Sequence, residues 1–370
     1  MYDMKRISII MIILSGIAAV WAVVACSCAA KRPDINDKRE PQPFGVNLAC
    51  AEFADNQFPG QYGLHYTYPS PKELDYFKSK GMKLIRLPFK WERLQPVLFG
   101  ELDSVELGRL KSFVAAAEER EMPVLLDLHN YARRYVDGKK VIIGSPELCV
   151  SHFADFWKKL AAEMTEFDNI YGHGLMNEPH DMESSTSNWF EMAQAAIRAI
   201  REVDMKRTIV VGGNDWCSAE RWLEQSDTLK YLVDPAQNLM FEAHVYFDID
   251  ASGTYRGTYE AEECHPNKGI ERVKPFVQWL HANGLRGMVG EYGVPDNDER
   301  WLVTMDNFLA YLQSEGVNAT YWAAGPWWGK YKLRLTPDKG NDRPQMKIVE
   351  KYLTTNQKEK RYENLSARNK

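Results

Sequence analysis

The 370-residue chain is predicted to be an α/β protein built as a single (β/α)8 TIM barrel. Three observations lead there. Short apolar runs recur eight times, and amphipathic stretches with a period near 3.6 separate them. No glycine-rich phosphate loop follows the first run, as an open doubly wound sheet would lead one to expect. The length also suits one large barrel better than a small module.

The runs are taken in order. GVNLACAEF begins at 45, KLIRLPF at 83, PVLLDLHN at 123 and IYGHGLMNEP at 170. TIVVGGND begins at 208, LMFEAHVYF at 239, RGMVGEYG at 286 and NATYWAAGPWW at 318. Each is short and mostly apolar, as a strand covered on both faces must be. Helical spacing appears at Leu107, Leu110, Val114 and Ala117, at Phe153, Phe156, Trp157, Leu160 and Met164, and at Trp301, Met305, Phe308 and Leu312. Ser70-Pro71 and Ser145-Pro146-Glu147 read as helix starts, a cap followed by a first-turn proline. Gly81, Gly284 and Gly316 stand where a left-handed residue ends a helix. The barrel is placed at 44–355, with a polar tail at 356–370.

The N-terminus reads as an export signal at 1–25. Lys5 and Arg6 precede an apolar run from Ile7 to Val24. Val23-Val24-Ala25-Cys26 resembles the lipobox of bacterial lipoproteins, which implies cleavage before Cys26 and a lipid anchor on its thiol; Cys28 is the weaker candidate. Free secretion and an uncleaved membrane-spanning helix are the alternatives. Residues 26–43, charged and proline-rich, read as a flexible linker. Cys50, Cys149, Cys217 and Cys264 are scattered without CxxC spacing, so zinc is not expected, while one Cys217–Cys264 bridge stays open.

A net charge of −5 argues against a nucleic-acid partner, which needs clustered cations. Eleven Trp and eighteen Tyr offer flat faces that suit sugar rings as well as core packing. A monomer is expected.

Catalytic groups of such barrels gather at the C-terminal ends of the strands. Those ends carry Arg86, His129, Asn177 with Glu178, Asn214 with Trp216, His244 with Tyr246, Glu291 and Trp322. So many buried polar groups converging on one mouth are costly unless they pair or work. The ordered set, Arg86 in IRLPF, His129 in DLHNY, Asn177-Glu178 in GLMNEPH, His244 and Tyr246 in HVYF, Glu291 in GEYG and Trp322 in YWAAG, resembles glycoside hydrolase family 5 over about residues 44–352. HVYFDIDASGTY with Cys264 downstream, and GVNLACAEF, are similar to its endoglucanase branch. GEYG departs from the Thr-Glu-Thr-Gly usual in that branch, which leaves the glutamate in place and opens the question of the exact substrate.

The resemblance implies a retaining hydrolase of β-1,4-glucan, with Glu178 as acid/base and Glu291 as an ionised nucleophile steadied by Arg86 and Tyr246. Asn177 would bind the sugar 2-hydroxyl. His129 and His244 would be neutral positioning groups. Trp322 would be a stacking platform, with Trp216, Trp327 and Trp328 as further candidates. A retaining glycosidase sets its two carboxyl groups about 5–5.5 Å apart. No cofactor and no metal are expected: His129, His173, His180 and His244 lack HExxH spacing. A β-mannanase or other β-glycan hydrolase, and a surface glycan-binding lipoprotein without catalysis, are the alternative readings.

Overall fold

A computed structural model describes residues 44–183 and 185–353. The leader at 1–25, Cys26, the linker at 26–43 and the tail at 356–370 lie outside the described residues. Among the described residues, no helix is long and apolar enough to cross a membrane.

All eight apolar runs become parallel strands of one closed barrel. They are β1 (Gly45–Leu48), β2 (Ile85–Phe89), β3 (Val124–Leu128), β6 (Ile170–Gly174), β7 (Thr208–Gly212), β8 (Leu239–His244), β9 (Gly287–Tyr292) and β10 (Asn318–Ala324). An antiparallel hairpin, β4 (Arg133–Val136) with β5 (Lys139–Ile142), interrupts the alternation after β3 and was not foreseen. Its strands are half exposed and polar, so they carry none of the apolar signal that marks the barrel strands.

The helices between strands include α1 (Pro71–Ser79), α2 (Trp91–Leu94), α3 (Ser104–Glu118), α4 (Val150–Glu163) and α5 (Trp189–Arg201). Later ones are α6 (Trp222–Gln225), α7 (Lys268–Asn283), α8 (Glu299–Glu315) and α9 (Pro344–Val349). α1 starts as read, with Glu73 reaching back to the Ser70 N–H at 2.7 Å. The start read at Ser145-Pro146-Glu147 is corrected: those residues form a turn, and α4 begins at Val150. The Cys149 N–H donates to His152 Nδ1 at 3.1 Å, so a histidine does the reaching back and leaves no sequence signature. Gly284 and Gly316 end α7 and α8 with φ of 61° and 71°.

Side chains two apart on a strand share a face. One set therefore runs Leu84 then Arg86, Leu125 then Asp127 then His129, and Met240 then Glu242 then His244. The lower members, Leu84, Leu125, Val210, Met240 and Met288, pack on one another as a small apolar layer of their own. The upper members form a charged layer above it.

The proposed Cys217–Cys264 bridge is not made, and all four described cysteines are free. The Cys217 thiol is buried, crowded against Gly212. Cys264 instead faces Thr304 of α8, 3.9 Å from its hydroxyl.

Candidate active site

The barrel mouth is organised around Arg86, which is fully buried. Its Nη1 lies 2.9 Å from Asp127 Oδ2 and 3.2 Å from Glu291 Oε1, and donates to Asn47 Oδ1 at 2.8 Å. Its Nη2 lies 2.8 Å from Glu242 Oε1 and donates to Asn177 Oδ1 at 2.8 Å. A buried guanidinium is tolerated only when neutralised, and three carboxylates meet that need. Burial would push its pKa down, but Asp127, Glu242 and Glu291 hold it above its ordinary value.

Two histidines flank this cation. His129 Nδ1 lies 2.8 Å from Asp127 Oδ2, and its Nε2 lies 3.2 Å from Asn177 Nδ2. Arg86 occupies the Asn177 oxygen, so the amide nitrogen must face His129. His129 therefore donates once and accepts once, which is the neutral imidazole. Burial, with Lys90 and Arg86 nearby, pushes its pKa well below the usual value.

His244 has no such acceptor role. Its Nδ1 lies 2.7 Å from Glu178 Oε1, and its Nε2 lies 3.0 Å from Glu242 Oε1. Both nitrogens face carboxylates, so both carry protons. Burial opposes the charge, but Glu291, Glu178 and Glu242 raise the pKa to about 10. Against the expectation of a neutral His244, the three acidic side chains around the ring favour its imidazolium form.

Glu178 and Glu291 converge on this cation. One ligand atom each from Glu178, His244 and Glu291 all lie within 4.8 Å of one another. Each member of this cluster is engaged by a neighbour: His244 by Glu178 and Glu242, and Glu291 by Arg86 and the Tyr246 hydroxyl. Glu291 receives the Tyr246 hydroxyl at 2.8 Å. Burial pushes its carboxyl up to about 7, against the pull of His244, Arg86 and the Tyr246 hydrogen bond, while Glu178 adds to the rise. Glu178 is less buried than Glu291, with 17% of its side chain exposed against 5%. It sits at φ 46°, a left-handed backbone that side-chain-bearing residues adopt rarely and that clusters at functional positions.

Trp322 stacks parallel on His129, with ring centroids 5.3 Å apart. Trp216 is 40% exposed beside the Glu178–Pro179 turn: its N–H donates to Pro179 O, and its ring stacks on His180 at 4.3 Å. Trp327 is partly exposed, whereas Trp328 packs between Trp322 and Tyr331. His173 belongs elsewhere, paired with Asp204 at 2.9 Å. Asn214 lies in the turn Asn214–Cys217, bonded to Ser226 and Gln225 rather than to the acidic pair.

Sequence reasoning missed Asp127, Glu242 and Lys90. Each carboxylate stands two residues before a site histidine, so Asp-x-His and Glu-x-His at two strand ends were the available signal. Gly290 makes room for Glu242: a Cβ there would lie 1.9 Å from Glu242 Oε1. Lys90 donates to His129 O at 2.6 Å and lies over the Tyr131 ring at 5.2 Å.

Comparison with known proteins places this arrangement. Residues 46–327 match the family model described as cellulase, glycosyl hydrolase family 5. The chain is 35% identical over 348 residues to a probable endo-β-1,4-glucanase B of Neosartorya fischeri, covering 92% of this chain and 98% of that one. Among solved structures, it is similar to the Pseudomonas stutzeri endoglucanase Cel5A in complex with cellobiose, with a TM-score of 0.80, 40% identity, and 85% and 96% of the two chains covered. An endo-β-1,4-glucanase of Xanthomonas axonopodis pv. citri superposes with a TM-score of 0.77 at 36% identity, covering 84% and 98%.

Proposed function

The chain belongs to the cellulase family, glycosyl hydrolase family 5, and from that premise we propose that it cleaves β-1,4-linked glucan within the chain, with retention, using Glu178 and Glu291. It is a glycoside hydrolase. The observation that carries the mechanism is the approach of both carboxyl groups to His244, with one atom of each of the three within 4.8 Å of the others. That spacing suits double displacement and falls short of the roughly 6.5–9.5 Å by which an inverting pair is separated.

In this reading Glu291 attacks the anomeric carbon while Glu178 protonates the departing glycosidic oxygen. A glycosyl ester forms on Glu291. Glu178 then takes a proton from water, which breaks the ester and restores both groups. Arg86 and the Tyr246 hydroxyl steady Glu291 through contacts already in place. His244 occupies one Glu178 oxygen, which leaves the other to carry the mobile proton. Asn177 has one amide N–H on His129 and a second free to reach the sugar 2-hydroxyl, a bond that strengthens toward an oxocarbenium-like transition state. Trp322 underlies the ring at the cleavage point, and Trp216 offers a platform beside Glu178.

A panel of purified β-glucans and mannans, read by viscosity and product chromatography, tests the substrate. Internal cleavage lowers viscosity long before reducing ends accumulate; mannan cleaved faster than glucan would overturn the reading. The proposal extends to location: export through the 1–25 leader and a lipid anchor on Cys26 of a monomeric chain, with 26–43 as tether, 44–355 as the catalytic domain and 356–370 as a tail. Labelled fatty-acid incorporation lost in Cys26→Ala is the expected result.

A further inference from the structure

A cavity of about 550 Å³ lies away from the acidic pair, between the β1–α1 connection and the flank of α3. The β1–α1 connection and the first turns of α1 and α3 come after strand C-termini, so the cavity shares the catalytic rim but stands outside the strand ring. Its size is that of a small-ligand site.

The cavity floor contains Gly108, in the interior of α3 and exposed to solvent. A Cβ built there meets nothing within 4 Å. Glycine inside an exposed helix costs stability relative to alanine, and no neighbouring atom demands it. The open space above this backbone is therefore not needed by the fold.

The wall beside it is held rigid. The buried Glu106 carboxylate accepts from the Tyr66 hydroxyl at 2.6 Å, the Tyr68 hydroxyl at 3.0 Å and Arg109 Nη1 at 2.8 Å. Fixed in this way, the Arg109 guanidinium lies 4.3 Å from the centroid of the Tyr62 ring, and Tyr66 meets that ring edge-on at 5.7 Å. Tyr62 is nevertheless 42% exposed. A solvent-facing aromatic clamped in place is a preorganised platform. Ser104 and Ser112 add hydroxyls to the lining; Ser112 donates to Gly108 O at 2.7 Å and keeps lone pairs to accept with. Arg109 is the one charged side chain of the lining, and Glu106 neutralises it. Such a surface suits a neutral polyhydroxylated ring better than an anion.

We propose that this cavity is a second, non-catalytic glycan site that holds a segment of the β-glucan chain on the same rim as the catalytic mouth. The identity of the glycan rests on the substrate reading above. Binding there would keep a polymer on the enzyme without touching Glu178 or Glu291.

Retention of the full chain on insoluble β-glucan, Tyr62→Ala and Gly108→Gln each against the unsubstituted chain, tests it. Hydrolysis of a short aryl cellobioside, which spans only the catalytic mouth, is the internal reference. Tyr62→Ala should bind the polymer about fivefold or more weakly, the scale of one aromatic contact, and Gly108→Gln, which fills the space, should weaken it as well, with the short substrate turned over within about twofold. Gly108→Gln should also melt at higher temperature, since it restores a helix former, so its lost retention could not be assigned to unfolding. Retention of both variants equal to that of the unsubstituted chain, or loss of short-substrate turnover in step with retention, would overturn the proposal. A chain that hydrolyses no β-glucan at all would instead overturn the substrate reading, and this inference with it.

Discussion

At the end of β3, Asp127 and His129 stand two residues apart; at the end of β8, Glu242 and His244 repeat that spacing. Both acids lean on the same arginine, through Arg86 Nη1 and Nη2 respectively. The two histidines nevertheless end in opposite charge states. His129 gives one hydrogen bond and takes one, with Lys90 bound to its carbonyl. His244 lies between Glu242 and Glu178, with Glu291 at 3.7 Å. The motif does not set the charge. The second neighbour does: an amide N–H beside a cation in one place, a carboxylate in the other. The site thus holds a neutral ring stacked on Trp322 and a charged ring between the two acids, where negative charge would otherwise repel.

The largest expected effect comes from removing the anions that charge His244. Glu291→Ala should leave less than about one part in 10³ of the hydrolytic rate, since it deletes the group to which the proposed mechanism gives the attack. It should also lower the His244 pKa, because Glu291 is the leading cause of its rise. A variant keeping about one percent of activity would end the nucleophile assignment. Glu178→Gln should cut turnover of the polymer by about 10²–10⁴-fold, the scale of general acid catalysis, yet spare the first step on activated aryl glycosides. A missing burst of aryl alcohol would break the acid/base role.

Glu242→Gln sharpens the comparison more directly. It keeps the shape of the side chain and removes one of the anions bonded to His244. The sign follows from linkage: losing an anion disfavours the imidazolium, so its pKa falls from about 10. Ring nitrogen NMR on the labelled protein at neutral pH should show His244 doubly protonated and His129 singly protonated. The His244 signature should persist to a lower pH limit in the variant, with about a tenfold loss of kcat/KM. Two identical signatures in the unsubstituted protein would erase the contrast.

Much of this molecule was legible in its sequence, for separable reasons. The eight strands were readable because strands buried on both faces are apolar runs, and the helices because Leu110, Val114 and Ala117, or Trp301, Met305 and Phe308, recur with one face buried. The β4–β5 hairpin was overlooked because its strands have no apolar run, although Asp137-Gly138, both at positive φ, is a dipeptide that two-residue hairpin turns favour. Of the site, the residues at the strand ends were found and the support beneath them was not. Asp127 and Glu242 sit inside β3 and β8, where a charged residue reads as a blemish in an apolar run. The charge of His244 depends on groups 66 and 47 positions away, and only their meeting in space reveals it.

Tyr246→Phe tests the acidic side by a smaller change. The Glu291 carboxyl is raised to about 7, and the Tyr246 hydroxyl opposes that rise by donating to the anion. The ionised Glu291 carboxylate is present above that pH and lost below it. Removing the donor favours the protonated form, so the acid limb of kcat/KM should move to higher pH by about one unit, worth about 1.4 kcal/mol. A limb that stays in place would detach Tyr246 from the charge of Glu291.

The smallest expected effect lies on the neutral side, in Lys90→Met. Burial lowers the Lys90 pKa to about 8, so its cation is partly lost already in mild alkali. Below that pH the charge stands against a proton on His129, after burial itself and ahead of Arg86 in strength. Methionine fills much the same volume without charge, so His129 should take up a proton more readily as pH falls. Burial and Arg86 remain, and the ring should stay neutral near pH 7. Turnover there should drop by less than about tenfold, reflecting loss of the bond to the His129 carbonyl and the contact over Tyr131. The difference should grow toward acid pH, because a proton on His129 Nε2 would face the Asn177 amide N–H and spoil its aim at the sugar 2-hydroxyl. A pH-independent ratio between the two proteins would mean that Lys90 acts on packing alone, and that burial without help keeps His129 uncharged.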